Sequence, residues 1–177
     1  MSDPALAARL AGMIREVPDY PKPGIGFKDI TPLLADAALF GQAIDGLAAP
    51  HRRGGIDLVV GIEARGFILA APVAVALGAG FVPVRKSGKL PWTTRSVSYD
   101  LEYGSAEIEV HDDAVADGQR VLVIDDVLAT GGTAAAACSL VEQAGGIVAE
   151  IAMLMELTFL DGRSALQGHA VRSLVSY

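Results

Sequence analysis

The densest chemistry in the chain lies in Asp125-Asp126-Val127-Leu128-Ala129-Thr130-Gly131-Gly132-Thr133, directly after the apolar run Val121-Leu122-Val123-Ile124. Such a run reads as a buried parallel strand, and ligands of open α/β sheets bind beyond the carboxyl ends of such strands. The turn Thr130-Gly131-Gly132-Thr133 offers unobstructed backbone N–H groups, two hydroxyls and the positive end of a following helix, which together make a phosphate cradle. The carboxylates of Asp125 and Asp126 can accept hydrogen bonds from vicinal sugar hydroxyls. A phosphate and a diol side by side describe a ribose 5-phosphate. An aspartate pair after a strand is, on its own, more often a helix cap or a solvated turn. Capping needs no paired glycines, so the whole segment favours a ligand. Neither G-x-x-x-x-G-K-[ST] nor G-x-G-x-x-G after a strand occurs, which leaves no competing P-loop or dinucleotide fingerprint.

Three further groups have types suited to chemistry. Glu63-Ala64-Arg65-Gly66 follows a second apolar strand, Asp57–Ile62, and its alternative reading is a surface ion pair at Arg65. Arg85, Lys86 and Lys89 form a local basic cluster, for which a solvated loop is the ordinary explanation. Phe27, in Pro23-Gly24-Ile25-Gly26-Phe27-Lys28-Asp29, can stack on a flat ligand or fill the core. Cys138 sits mid-helix and is read as an inert thiol, and His51, His111 and His169 show no metal-ligand spacing.

The elements that must position these groups follow from periodicity. Leu6, Leu10, Ile14 and Val17 recur at helical spacing, with Ser2 as cap and Pro18 as stop. A second helix is expected over Asp36–Ala49, with Leu39, Phe40, Ile44 and Leu47 inward. The uncharged stretch 66–84 contains Pro72, Gly78, Gly80 and Pro83. It therefore divides into a buried helix (Phe67–Leu77), a turn and a strand (Phe81–Arg85), and is too short as a helix to span a bilayer. Arg85–Ser98 reads as a mobile loop, and Val97–Glu102 with Ala106–Val110 as a hairpin turning at Gly104-Ser105. A helix over 132–144 closed by Gly145-Gly146, a strand over Ile147–Leu157 and an edge strand at Val171–Val175 complete the pattern. Alternating strands and helices imply an α/β fold with a mostly parallel sheet covered on both faces.

The 177 residues fit one domain at about 100–200 residues per domain. The formal net charge of −7 argues against broad nucleic-acid or anionic-membrane binding. The N-terminus lacks the pattern of a signal peptide, and the single cysteine excludes an internal disulfide. A cytoplasmic protein is expected.

The string Val123–Thr133 resembles the phosphoribosyl-diphosphate signature of the type I phosphoribosyltransferases. Three more segments resemble the adenine-using branch of that family: Pro23–Ile30 its base-binding segment, Gly61–Phe67 its pyrophosphate loop, and Arg85–Pro91 with Tyr99–Gly104 its flexible hood and the hairpin bearing its catalytic carboxylate. The resemblance implies the type I fold: a central, mostly parallel sheet flanked by helices, with a flexible hood. Residues 1–35 would be the N-terminal helix and base-binding segment, and 36–177 the core, hood loop 86–110 included. It implies transfer of phosphoribose from phosphoribosyl diphosphate to adenine, giving AMP and pyrophosphate, with Mg²⁺ carried mainly by the diphosphate, in a homodimer. By the same resemblance Asp125, Asp126 and Ala129 to Thr133 (Thr130, Gly131 and Gly132 between) would hold the ribose and 5′-phosphate. Glu63, Ala64, Arg65, Arg85, Lys86 and Lys89 would hold pyrophosphate, across a cis Glu63–Ala64 peptide. Arg85 would reach into the partner's site. Gly26, Phe27, Lys28 and Val127 would receive adenine, Glu102 and Arg65 would be catalytic, and Tyr103 would help close the lid. Lys28 stands where some relatives have arginine, and Gly26 where they have a branched apolar residue. Another purine base, or a regulator sensing phosphoribosyl diphosphate, are the alternatives; the regulator should carry a basic DNA-binding module, for which this acidic chain leaves no room.

Overall fold

A computed structural model describes residues 3–100 and 105–177. Helix α1 (Pro4–Met13) is capped by Asp3, whose side chain accepts the Ala5 N–H, while the expected cap Ser2 lies outside the described residues. The helix stops earlier than its apolar spacing predicts. Residues Arg15–Val17 form strand β1, which pairs antiparallel with β2 (Phe27–Asp29), Val17 opposite Phe27. Ladder hydrogen bonds to a distant segment override the local helical period, and they fix where Phe27 stands.

Helices α2 (Thr31–Ala35) and α3 (Ala37–Ala48) follow, with Asp36 capping α3 through bonds from Ala38 N–H and Leu39 N–H. Ile44 and Leu47 are buried as expected, whereas Leu39 and Phe40 are half-buried at the margin. Next come β3 (Leu58–Ile62), α4 (Arg65–Leu77) and β4 (Gly80–Lys86), a parallel βαβ unit. Gly78, at φ 66°, terminates α4 in the left-handed conformation that glycine adopts without steric cost. No helix among the described residues is long and apolar enough to cross a membrane.

Strands β5 (Thr94–Asp100) and β6 (Ser105–His111) form the antiparallel hairpin. Two expectations change here. The strand begins at Thr94 rather than at Val97, because Thr94, Arg95 and Ser96 also pair with β6. Asp100 lies opposite Ser105, so Ser105 is a paired strand residue and not part of the turn.

Strand β7 (Arg120–Leu128) leads into α5 (Gly132–Gln143), then β8 (Ile147–Glu156), two short 3₁₀ turns (Thr158–Leu160 and Gly162–Leu166) and β9 (Val171–Ser176). The main sheet runs β5-β6-β4-β3-β7-β8-β9, with β9 at the edge as expected. Pairing is parallel from β4 to β9 and antiparallel at the hairpin. Strand β7 sits between β3 and β8. Its alternate residues enter two cores: Leu122 and Ile124 pack with α1, α3 and α4, while Val121 and Val123 pack with α5 and the hairpin. A strand buried on both faces needs an apolar residue at every position, which is why 121–124 is continuous. At its carboxyl end the first polar side chains, Asp125 and Asp126, emerge.

Candidate active site

Strand β7 delivers the two aspartates to the mouth of a cleft of about 250 Å³. Its floor is Asp125–Ala134, and its far side is Glu63, Ala64, Arg65, Lys86 and Tyr99. Two glycines permit this approach. A Cβ on Gly66 would lie 2.8 Å from Asp125 Oδ1 and 2.9 Å from Ile124 O, so only glycine lets the start of α4 close on the end of β7. Gly131 turns the loop into α5 at φ 84°, a region L side chains avoid. No side chain caps α5, so the first N–H groups of the helix face the cleft without an internal partner.

The aspartates occupy different environments. Asp125 Oδ1 accepts the Asp126 N–H at 2.9 Å. Asp126 is 2% exposed, and its Oδ2 lies 3.0 Å from Arg65 Nε. That approach is an ion pair without hydrogen-bond alignment, so Oδ2 remains a buried oxygen with no donor. Burial and then the Asp126 charge push Asp125 well above the ordinary aspartate range. Burial also raises Asp126, against the pull of Arg65. Donors supplied by a ligand would stabilise the charge of the pair against this burial.

The Glu63–Ala64 peptide is cis, as the resemblance implies. Burial pushes Glu63 up, but the Lys86 N–H at 3.0 Å and the Arg85 guanidinium at 3.3 Å outweigh it and hold the carboxyl below the usual range. Lys86 therefore lines the cleft. Arg85 and Lys89 do not: Arg85 is turned onto Glu63 and onto the Lys89 carbonyl.

A second cavity of about 560 Å³ adjoins the first and shares Arg65, Val127 and Ala129 with it. Gly26, Phe27 and Lys28 form one wall. Phe27 is half-buried, with Tyr20 edge-on at 5.2 Å between ring centroids and the Arg65 guanidinium 4.9 Å from its ring centre. Lys28 pairs with Glu16 at 3.1 Å and lies over the Tyr177 ring at 4.2 Å. Leu157, Phe159, Leu160 and Tyr177 also line this cavity, none of which the sequence singled out. Leu157 continues an apolar strand, and Phe159 and Leu160 lie in a turn without a motif. Only the exposure of two large apolar residues in a turn marks them.

Two other residues were missed. Tyr99 lines the cleft and its phenol oxygen accepts the Thr133 hydroxyl at 3.1 Å, tying the hairpin to the start of α5. Glu109 is 4% exposed; its Oε1 accepts from Lys89 N–H and Leu90 N–H, both at 2.9 Å, and its Oε2 from the Thr94 hydroxyl. Burial raises it, but these bonds prevail and keep it ionised below the usual range. Glu109 alternates with the buried Ile108 and Val110 along β6, and the loop after β4 folds over it through Lys89 and Leu90. Glu102 and Tyr103 lie outside the described residues.

Among the described residues no group of three or more His, Cys, Asp or Glu could hold a metal ion. Asp125 and Asp126, with one donor-free buried oxygen, suit Mg²⁺ held chiefly by a substrate's own oxygens, since this ion commonly takes one or two carboxylates and keeps its waters.

A buried carboxylate pair at a strand end, a glycine turn at a helix start and a doubly covered parallel sheet are the arrangement of a phosphoribosyltransferase, and the phosphoribosyl transferase domain family model matches residues 33–172. An adenine phosphoribosyltransferase from a Roseiflexus species is 56% identical over 172 residues, covering 97% of this chain and 100% of its own. The adenine phosphoribosyltransferase structure from Rhodothermus marinus superposes with a TM-score of 0.94 at 51% identity, over 99% of this chain and 100% of that one. The Saccharomyces cerevisiae enzyme, solved with adenine and an imino-altritol bisphosphate, gives 0.91 at 40% identity over 97% and 99%. The chain belongs to the phosphoribosyl transferase domain family, among its adenine phosphoribosyltransferases.

Proposed function

We propose that this enzyme transfers phosphoribose from phosphoribosyl diphosphate to adenine, forming AMP and pyrophosphate. The observation that carries the reading is the pair of adjoining cavities, one polar with a glycine cradle and a carboxylate pair, the other mostly apolar and lined by Phe27, joined at Arg65, Val127 and Ala129. A nucleoside monophosphate has the same two halves. The relatives' shared name points to the same reaction.

In this account the backbone N–H groups of Ala129 to Thr133 hold the 5′-phosphate, and Asp125 and Asp126 accept hydrogen bonds from the ribose hydroxyls. Pyrophosphate lies along Glu63, Ala64, Arg65 and Lys86, with Arg85 and Lys89 behind them. Adenine stacks on Phe27, its edge met by backbone groups of Gly26 and Lys28, with Val127 beneath. As the C1′–oxygen bond to pyrophosphate breaks and the bond to adenine nitrogen forms, positive charge develops on the ribose. Preorganised carboxylates near that charge and cations near the departing oxygens lower the barrier. Glu102 handles a proton at N7 of the purine, and Tyr103 helps to close the site. Mg²⁺ bound with the diphosphate would supply neutralisation of the leaving group's charge.

Residues 1–35 contribute the adenine wall and 36–177 the phosphoribosyl machinery of a single domain. The family resemblance supports a cytoplasmic homodimer with Arg85 presented to the partner's cleft. The test is turnover with phosphoribosyl diphosphate and Mg²⁺, using adenine beside hypoxanthine, guanine and xanthine. AMP from adenine alone is expected. Turnover with another base only would overturn the assignment of Phe27, Gly26 and Lys28 to adenine, and binding of phosphoribosyl diphosphate without turnover would favour a sensor.

A further inference from the structure

Glu156 is a buried carboxylate, 5% exposed, that touches neither cavity yet carries a complete set of partners. Arg163 meets it as a fork, Nε to Oε1 and Nη2 to Oε2, both at 2.7 Å, and the Ser173 hydroxyl adds a bond to Oε2 at 2.9 Å. A third guanidinium nitrogen of Arg163 donates to the Val171 carbonyl at 3.0 Å. A carboxylate taken out of water is retained without large cost only when its partners are as well aligned as these.

Arg163 belongs to the two-turn segment 158–166, whose 3₁₀ turns are too short to be stable alone and are separated by Asp161 at φ 49°. This segment lies directly behind the phosphate-cradle loop. A Cβ on Gly131 would come within 2.2 Å of Gly162 O, and one on Gly162 within 2.2 Å of Ala129 O. The two backbones touch, with glycine on each side of the contact. The same stretch of chain supplies Leu157, Phe159 and Leu160 to the apolar cavity, and Leu157 N–H donates to Leu128 O at the end of β7.

We propose that Glu156 and Arg163 are positioning residues whose fork holds segment 158–166 as a common brace for the phosphate-cradle loop and for one wall of the base cavity. The assignment of those two subsites rests on the function proposed above. A single ion pair outside the site thus sets the fit of both substrates, and loosening it degrades both together. Misplacement of a binding group by about 1 Å is enough to cost up to about 100-fold in rate or affinity.

The experiment compares the parent enzyme with Arg163→Ala, Arg163→Lys and Gly162→Ala. It reads calorimetric affinity for ribose 5-phosphate, KM for each substrate, kcat and Tm. Arg163→Ala should weaken ribose 5-phosphate binding and raise both KM values by about tenfold or more, with kcat changed by less than about threefold. Arg163→Lys should recover part of that loss, because lysine restores the charge but not the fork. Gly162→Ala leaves the fork intact and should weaken ribose 5-phosphate binding by a similar factor through the displaced Ala129 carbonyl. A lowered Tm with ribose 5-phosphate affinity and both KM values within about twofold of the parent would reduce the pair to a structural role and overturn the proposal. If Arg163→Ala does not fold, Arg163→Lys and Gly162→Ala decide by the same criteria. A parent that binds ribose 5-phosphate but does not convert adenine would defeat the functional reading alone, since the affinity comparison would still decide the brace.

Discussion

The two sides of the cleft are built on opposite principles. On the β7–α5 side the working atoms belong to backbone or to short buried side chains: Asp126 is buried, Gly131 is in the left-handed region, and the loop rests on Gly162. On the β4–β5 side the cations are long side chains at the end of β4 and in the loop after it, and two carboxylates hold the backbone there. Glu63 holds Lys86 N–H, and Glu109 holds Lys89 N–H and Leu90 N–H. In the function proposed above, the first side binds by shape and fixed dipoles, and the second presents solvated charge to the group that must leave.

The contrast can be broken most severely at Gly131. An alanine there meets both an unfavourable φ and the Gly162 carbonyl, and kcat/KM should fall by about 100- to 1,000-fold in a steady-state assay. Asp125→Asn should follow, with activity down about 100-fold and stability moving the other way. Burial and the Asp126 charge raise the Asp125 pKa above 3.8 in the folded protein. Its ionisation therefore opposes folding increasingly as pH rises from that value through the folded one, and the variant should melt above the parent at pH 8, with the gap closing towards pH 4. The other side should show the reverse sign. Glu63 and Glu109 are depressed below 4.5, so their contribution is complete above that pH and is lost only as pH falls through their folded values.

Glu109→Ala leaves two backbone N–H groups and a hydroxyl without their acceptor. The KM for phosphoribosyl diphosphate should rise by about tenfold, with the KM for adenine changed by less than about threefold. The smallest effects sharpen the contrast within one cluster. Lys86→Ala removes a cation from the cleft wall and should reduce kcat/KM by about tenfold, as expected for a charge-assisted contact. Lys89→Ala removes one that does not line it, and should change kcat/KM by no more than about a factor of two or three.

The same division explains what the sequence disclosed. The β7–α5 side was legible almost residue by residue, because a buried strand, a glycine pair and a helix start are local and their order is dictated by sterics. Asp125, Asp126 and the loop 129–133 stand together in the cleft as their spacing required. The βαβ unit 57–85 and the edge strand 171–175 were legible for the same reason. Tertiary contacts hid the rest. Helical spacing ran through Val17, but pairing with Phe27 made 15–17 a strand. The polar stretch after Arg85 concealed the first three residues of the strand, Thr94, Arg95 and Ser96, none of which is apolar; the alternation shows only from Val97 and Tyr99. Glu109 escaped notice because nothing local says that the loop after β4 folds back over it. Leu157, Phe159, Leu160 and Tyr177 reach the second cavity only through the sheet's final crossover.

The most direct test of the account is a crystal structure of the protein with AMP bound. The account requires the phosphate within hydrogen-bond distance of the N–H groups of residues 130–133, both ribose hydroxyls on Asp125 and Asp126, and adenine stacked against Phe27. A nucleotide bound with its phosphate on Lys86 and Arg85, or with its base outside the Phe27 cavity, would contradict it.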